Sequence, residues 1–206
     1  MARPANIKRE TILEVAKDLF FEKGIAKTEM KEIADKSQIG RSSLYRHFES
    51  KEAIALELVI ELLDKMNQEF DQAIQAEVSG YEKVRIGLTF YIEKMYDSIP
   101  SVRFLDDFDS CFYHEYPPNL SEGYIQRLRN RHDSLKVVLE QAAKEGEVQL
   151  IKNAEYTSKF LMNVLFGLSQ RILPRAKLIR QEQGYAEEYL EDMLMMLMAY
   201  IKPPIK

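Results

Sequence analysis

Apolar residues recur at intervals of three and four through nearly the whole chain, and this period constrains the fold more than any other property of the sequence. Such a repeat lines one face of an α-helix, whereas a half-buried strand needs alternation. Only 8 Gly and 7 Pro punctuate the 206 residues, so the helices have few interruptions. With 46% hydrophobic residues the chain can bury a sizeable core. The expected fold class is all-α, with about nine helices.

The first helix reads from 7 to 23, with Ile12, Val15, Ala16, Leu19 and Phe20 on one face and Gly24 at its end. The arm ahead of it holds Arg3, Lys8 and Arg9, which fit either a solvated terminus or contact with a DNA backbone or minor groove. Between 28 and 51 the elements shorten. Thr28 is placed to cap a second helix, with Glu29 in its first turn and Met30, Ile33 and Ala34 on its apolar face. Ser37-Gln38-Ile39-Gly40 breaks the period, leaving Ile39 to anchor a turn. A third helix follows from about Arg41 to His47. Leu44 and Phe48 point inward, and Arg41, Ser42, Ser43, Tyr45, Arg46 and His47 are left for other faces. Two short helices about a tight turn make a helix-turn-helix, and a helix that buries so little of itself offers its polar face to a partner or to water. Charge favours a polyanionic partner: residues 1 to 51 carry 11 Lys+Arg against 8 Asp+Glu, the remainder 18 against 25.

Ile12 through Phe20, then Gly24, Thr28, Ile33-Ala34, Leu44-Tyr45, His47-Phe48 and Lys51 together resemble the N-terminal domain of the TetR family of transcriptional repressors. The resemblance covers the first quarter of the chain. It implies that Thr28 and the helix from Arg41 to His47 face double-stranded DNA, with that helix in the major groove. Tyr45, His47 and Lys51 match positions that hold phosphates; Arg41, Ser42 and Ser43 match the base-facing start of the reading helix. Three positions depart from the family pattern: Gln38 replaces a usual Gly where the turn calls for positive φ, Gly40 a capping Ser or Thr, and Ser42 a frequent Gly.

Ser50 is placed to cap a long helix running to about Gln75, with Leu56, Val59, Leu63, Met66, Phe70 and Ala73 at helical spacing. It leaves the DNA-binding unit and enters the body, which sets a boundary between domains 1–50 and 51–206. Further helices are expected over 81–98, 101–115 and 121–144, with Arg127 and Arg131 outward on the last. Residues 154–173 and 185–201 are apolar on more than one face, which fits either a deep core position or a subunit interface. The resemblance favours the interface, implying a homodimer through these two helices on a near-palindromic operator.

No catalytic constellation, metal-ligand spacing or phosphate-binding Gly loop occurs, so no enzyme, metal or cofactor is expected. The single cysteine, Cys111, excludes an intramolecular disulfide, suits a reducing cytoplasm and reads as a buried hydrophobe. No apolar run reaches the roughly 20 residues a membrane helix needs. Aromatic residues crowd positions 90 to 116. Met66, Phe70, Tyr91, Met95, Phe104, Phe108, Cys111 and Phe112 are candidates to line a pocket for a partly apolar or aromatic small-molecule effector, or else to fill a core. The expected function is a DNA-binding repressor released by such an effector; the alternative is a DNA-binding protein whose body recruits a protein partner.

Overall fold

The structure, a computed structural model, describes residues 9–76, 78–111, 118–182 and 185–201. Those residues form ten α-helices and one 3-10 turn: α1 (Arg9–Lys23), α2 (Met30–Lys36), α3 (Arg41–His47), α4 (Lys51–Ala73), α5 (Gly80–Asp97), α6 (Ile99–Cys111), α7 (Pro118–Lys144), α8 (Ala154–Ile172), the turn Leu173–Arg175, α9 (Ala176–Glu182) and α10 (Ala186–Tyr200). The all-helical expectation holds. The short α9 falls where the sequence reads only as a polar stretch after Pro174. Phe112 and the arm residues Arg3 and Lys8 lie outside the described residues.

The chain groups into two compact units, Met1–Leu63 with Arg103–Ile125, and Asp64–Val102 with Gln126–Lys206. This grouping differs from the expected division at residue 50, because α4, α6 and α7 each contribute to both units.

In the first unit, α1 buries Ile12, Leu13, Ala16, Leu19 and Phe20, with Leu13 taking the inward place expected of Val15. Ile33, Ala34, Leu44 and Phe48 complete the core between the short helices. The plug beneath them is Ile25, fully buried in the α1–α2 loop, while Ile39 is only half-buried. Phe104 of α6 stacks on Phe20 with ring centroids 5.9 Å apart. Phe108 meets Tyr124 edge-on at 5.2 Å, and the Tyr124 hydroxyl donates to Asp109 over 2.7 Å. Cys111 is exposed, correcting the expectation of burial, because it stands at the last residue of α6. Desolvation of its sulfur and the Asp107 and Glu52 carboxylates raise its pKa, which makes it a sluggish nucleophile.

The second unit is built on rings. Phe70 of α4 stacks on Tyr91 of α5 at 5.0 Å, and Tyr91 stands edge-on to Phe166 of α8 at 5.3 Å. Two of its helices, α5 and α8, begin at side-chain caps: Ser79 accepts from the Glu82 N–H over 3.2 Å and Asn153 from the Tyr156 N–H over 2.8 Å. Arg127 is half-buried and pairs with Asp64 through both Nε (3.0 Å) and Nη2 (3.1 Å). Arg131 corrects the expectation of an outward side chain: it is buried, its guanidinium 4.2 Å over the Phe166 ring, a contact between α7 and α8 that periodicity within α7 cannot register.

Gly80 opens α5 against α7 so closely that an added Cβ would overlap the Ala142 methyl and stand 3.0 Å from the Ala142 Cα. Since a backbone atom cannot swing aside, Gly80→Ala is expected to destabilise the protein by about 1–3 kcal/mol, read as a lower midpoint in urea unfolding.

Candidate nucleic-acid interface

The reading head is assembled around the loop that joins α1 to α2. Gly24 leaves α1 at φ +86°, a conformation side chains resist, and the chain turns back over Ile25 to reach α2. Three side chains fix this loop. Thr28 donates its hydroxyl to the Gly24 carbonyl over 2.8 Å. Lys51, at the first turn of α4, donates to the carbonyls of Ile25 (2.8 Å), Ala26 (2.9 Å) and Thr28 (3.0 Å). Asp107 of α6 accepts from the Ile25 N–H.

Two expectations change as a result. Thr28 is 1% exposed and does not cap α2, whose N-cap is Glu29 without a side-chain bond. Its hydroxyl is turned to the loop. The Lys51 ammonium, expected at a phosphate, donates to all three carbonyls and so clasps the loop.

The turn itself follows the expected strain. Gln38 adopts φ 55°, the left-handed region a glycine enters more easily, at a cost of about 1 kcal/mol. Gly40 precedes α3 with φ −68° and ψ 145° and caps it through its backbone alone. Leu44 is fully buried and anchors α3, which leaves Arg41, Ser42, Tyr45, Arg46 and His47 exposed along it. Ser43 is half-buried and accepts from Arg46 over 2.7 Å, which holds the Arg46 guanidinium along the helix. Arg9 braces the far end, its guanidinium 4.4 Å over the Phe48 ring and paired with Glu57. Ser50 caps α4 as expected, accepting from the Ala53 N–H over 3.1 Å.

A polar groove of about 460 Å³ runs along this head, lined by Thr28, Met30, Lys31, Arg41, Tyr45, Ser50, Lys51 and the carboxylates Glu29, Glu49 and Glu52. Lys31 was not singled out from the sequence. Its signal is positional: it is the second residue of α2 and shares the groove with Arg41 and Tyr45. The exposed set supplies what DNA contact requires, with a guanidinium able to span the guanine O6 and N7 and a phenol, an imidazole and an ammonium to donate to phosphates. The three carboxylates set negative charge in the same groove as Lys31, Arg41 and Lys51.

The candidate effector residues divide between the units. Met66, Phe70, Tyr91 and Met95 are buried in the second; Phe104 and Phe108 are buried in the first, where Cys111 is exposed. A different depression, of about 730 Å³, opens between α8 and α10, lined by Phe160, Val164, Leu168, Arg171, Ile172, Tyr189, Asp192, Met193, Met196, Leu197 and Tyr200. Each of these helices therefore buries one face and leaves a second apolar face outward. Among the described residues no group of three or more His, Cys, Asp and Glu is arranged to hold a metal, and no helix is long and apolar enough to cross a membrane.

Residues 12–58 match the profile of the bacterial regulatory proteins of the tetR family. The HTH-type transcriptional repressor KstR2 of Mycolicibacterium smegmatis is 32% identical over 83 residues, which is 40% of this chain and 40% of that protein. The match thus spans well under half the length of that relative. In structure the chain resembles FadR from Bacillus subtilis, a transcriptional regulator solved with stearoyl-CoA, at TM-score 0.71 and 15% identity over 94% of this chain and 100% of that one. It also resembles the ketosteroid transcriptional regulator KstR2 of Mycobacterium tuberculosis, at TM-score 0.67 and 21% identity over 98% of each. At these identities the structural likeness establishes the fold.

Proposed function

We propose that this chain, whose residues 12–58 match the tetR family of bacterial regulatory proteins, is a TetR-family, sequence-specific repressor that binds a near-palindromic operator as a homodimer and releases it when a small molecule enters the body. The observation that carries the reading is the α2–turn–α3 arrangement, in which Leu44 and the left-handed Gln38 hold an exposed polar face in a fixed orientation. In the proposed division of labour, residues 1–50 read DNA and 51–206 bind the effector and the second subunit. Arg41 and Ser42 read base edges, with Ser43 beside them; Tyr45, His47 and Lys31 hold phosphates.

The outward apolar faces of α8 and α10 supply the dimer surface, a second copy of this chain meeting them as a four-helix bundle. Helix α4 runs without interruption from Lys51 to Ala73, and α6 carries Asp107, which holds the α1–α2 loop. A ligand that favours a different placement of these helices changes the separation of the two heads. The operator is then lost by as much as the ligand's affinities for the two states differ.

Titration of labelled DNA from the protein's own upstream region, followed by anisotropy across a salt series, tests this reading. Preference for that DNA over random duplex supports it; equal binding to both overturns it. In the same assay Arg41→Ala is expected to cost about 1–3 kcal/mol on the preferred sequence and little on random DNA, whereas Tyr45→Phe weakens both alike.

A further inference from the structure

The groove between α8 and α10 has apolar or aromatic walls except at two points, Arg171 of α8 and Asp192 of α10. Both residues are exposed. They border the same groove, yet among the described residues no ion pair joins them and neither pairs with a third. On the single subunit this costs little, because water solvates both charges. A surface that covers the groove removes that water, and each charge then needs a counter-charge at its own position.

The two helices run antiparallel. Phe160, early in α8, meets Tyr200 at the end of α10 with ring centroids 4.9 Å apart. Ile172, at the end of α8, packs with Ala186 at the start of α10, and Tyr189 lies against that pair. Arg171 therefore stands near the level of Tyr189. Asp192 lies three residues further along α10, an axial offset of roughly 4.5 Å that an arginine side chain can span.

A second copy can cover the groove by a two-fold rotation in two ways. With the two-fold across the helices, levels are exchanged end for end, and Arg171 comes against the Phe160 end of the partner's α8. With the two-fold along the helices each residue keeps its level and α8 lies on the partner's α10. Arg171 then faces the partner's Asp192, and the same rotation sets Asp192 against the partner's Arg171. One opposite charge on each helix, a turn apart in level, is satisfied by the second arrangement and stranded by the first.

We propose that Arg171 and Asp192 form two reciprocal ion pairs across the dimer two-fold, and that these pairs make the α8–α10 surface select a second copy of this chain. The apolar walls favour association with any apolar face, whereas a chain lacking either charge would leave its counterpart buried without a partner. This rests on the reading of α8 and α10 as the dimer surface and adds the residues that choose the partner.

Charge reversal separates a pair between subunits from one within a subunit. The full chain is studied by sedimentation equilibrium as wild type, Arg171→Glu and Asp192→Arg, and as an equal mixture of the two variants. Both sites are exposed on the subunit, so circular dichroism should show unchanged helical content. Each variant alone sets like charges together at both contacts, and its dimer should be weaker than that of the wild type by about tenfold or more. The mixture should recover dimers near wild-type affinity, because in a mixed dimer both contacts again join opposite charges. Native mass spectrometry should show one chain of each kind in those dimers. A pair formed within one subunit would be broken in both variants and not mended by mixing. Charge reversals that leave dimerisation unchanged, or a mixture no more dimeric than its components, overturn the proposal. Met196→Glu, at the exposed rim of the same groove, distinguishes the two readings. A monomeric wild type, or a dimer that survives Met196→Glu, removes the α8–α10 interface as a whole and leaves the groove to another occupant. A dimer lost in Met196→Glu yet indifferent to the charge reversals removes the ion pairs alone.

Discussion

Met196→Glu is expected to turn the protein from a dimer into a monomer in light scattering and to lower its operator affinity by about a hundredfold to ten-thousandfold. Met196 is 72% exposed at the rim of the α8–α10 groove, so the folded subunit gains little from it. In the proposed interface it is covered by a second copy, and a glutamate there would place a carboxylate in a mostly apolar seam whose charged members, Arg171 and Asp192, already balance each other. Two heads held on one dimer bind the second half-site at high effective concentration; monomers forfeit that gain while each head keeps its own contacts. Helical content by circular dichroism should be unchanged. A dimer that survives the substitution with full operator affinity would move the interface away from this face.

Lys51→Ala carries the second large effect, on stability first and DNA second. Three carbonyls of the α1–α2 loop lose a charged donor at once. Hydrogen bonds to charged groups contribute more than neutral ones, and partial access of water to the loop offsets part of the loss, so about 2–3 kcal/mol is expected. For a chain of this size that lowers the melting temperature by about 5–10 °C. Affinity for all DNA should fall together, because the loop sets α2 against α1 and so carries the reading helix. Arg41→Ala, on an exposed side chain, should melt within about 0.5 kcal/mol of the wild type. A Lys51→Ala protein that melts like the wild type but loses one unit of salt slope would restore Lys51 to a phosphate contact.

The contrast between these two residues shows what a linear sequence carries. Leu44, the positive φ at Gln38 and the cap at Ser50 were legible because each depends on neighbours within four residues, where helical period and turn chemistry act. Thr28 misled because its hydroxyl chose the carbonyl of Gly24, four residues back, over the start of α2, and both partners are equally local. Lys51, Asp107 and Arg131 were not legible in kind. Their partners lie in another helix or loop, and a lysine that clasps a loop has the same composition and spacing as one that holds a phosphate. Within the aromatic density from 90 to 116, the partners were hidden for the same reason: Phe90 and Tyr91 pack with Phe70, whereas Phe104 packs with Phe20. The apolar excess of α8 and α10 was visible in the sequence, which fitted core and interface alike; Met195 and Met196 of α10 are exposed on the subunit.

Selection from a random duplex pool tests the central claim most directly, since it presumes no operator. The wild-type protein should enrich an inverted repeat whose half-sites are centred about one helical turn, or a small multiple of it, apart, and Arg41→Ala should enrich the same repeat with weaker base preference inside each half-site. Enrichment of no common sequence, or of single half-sites without two-fold symmetry, would contradict the account.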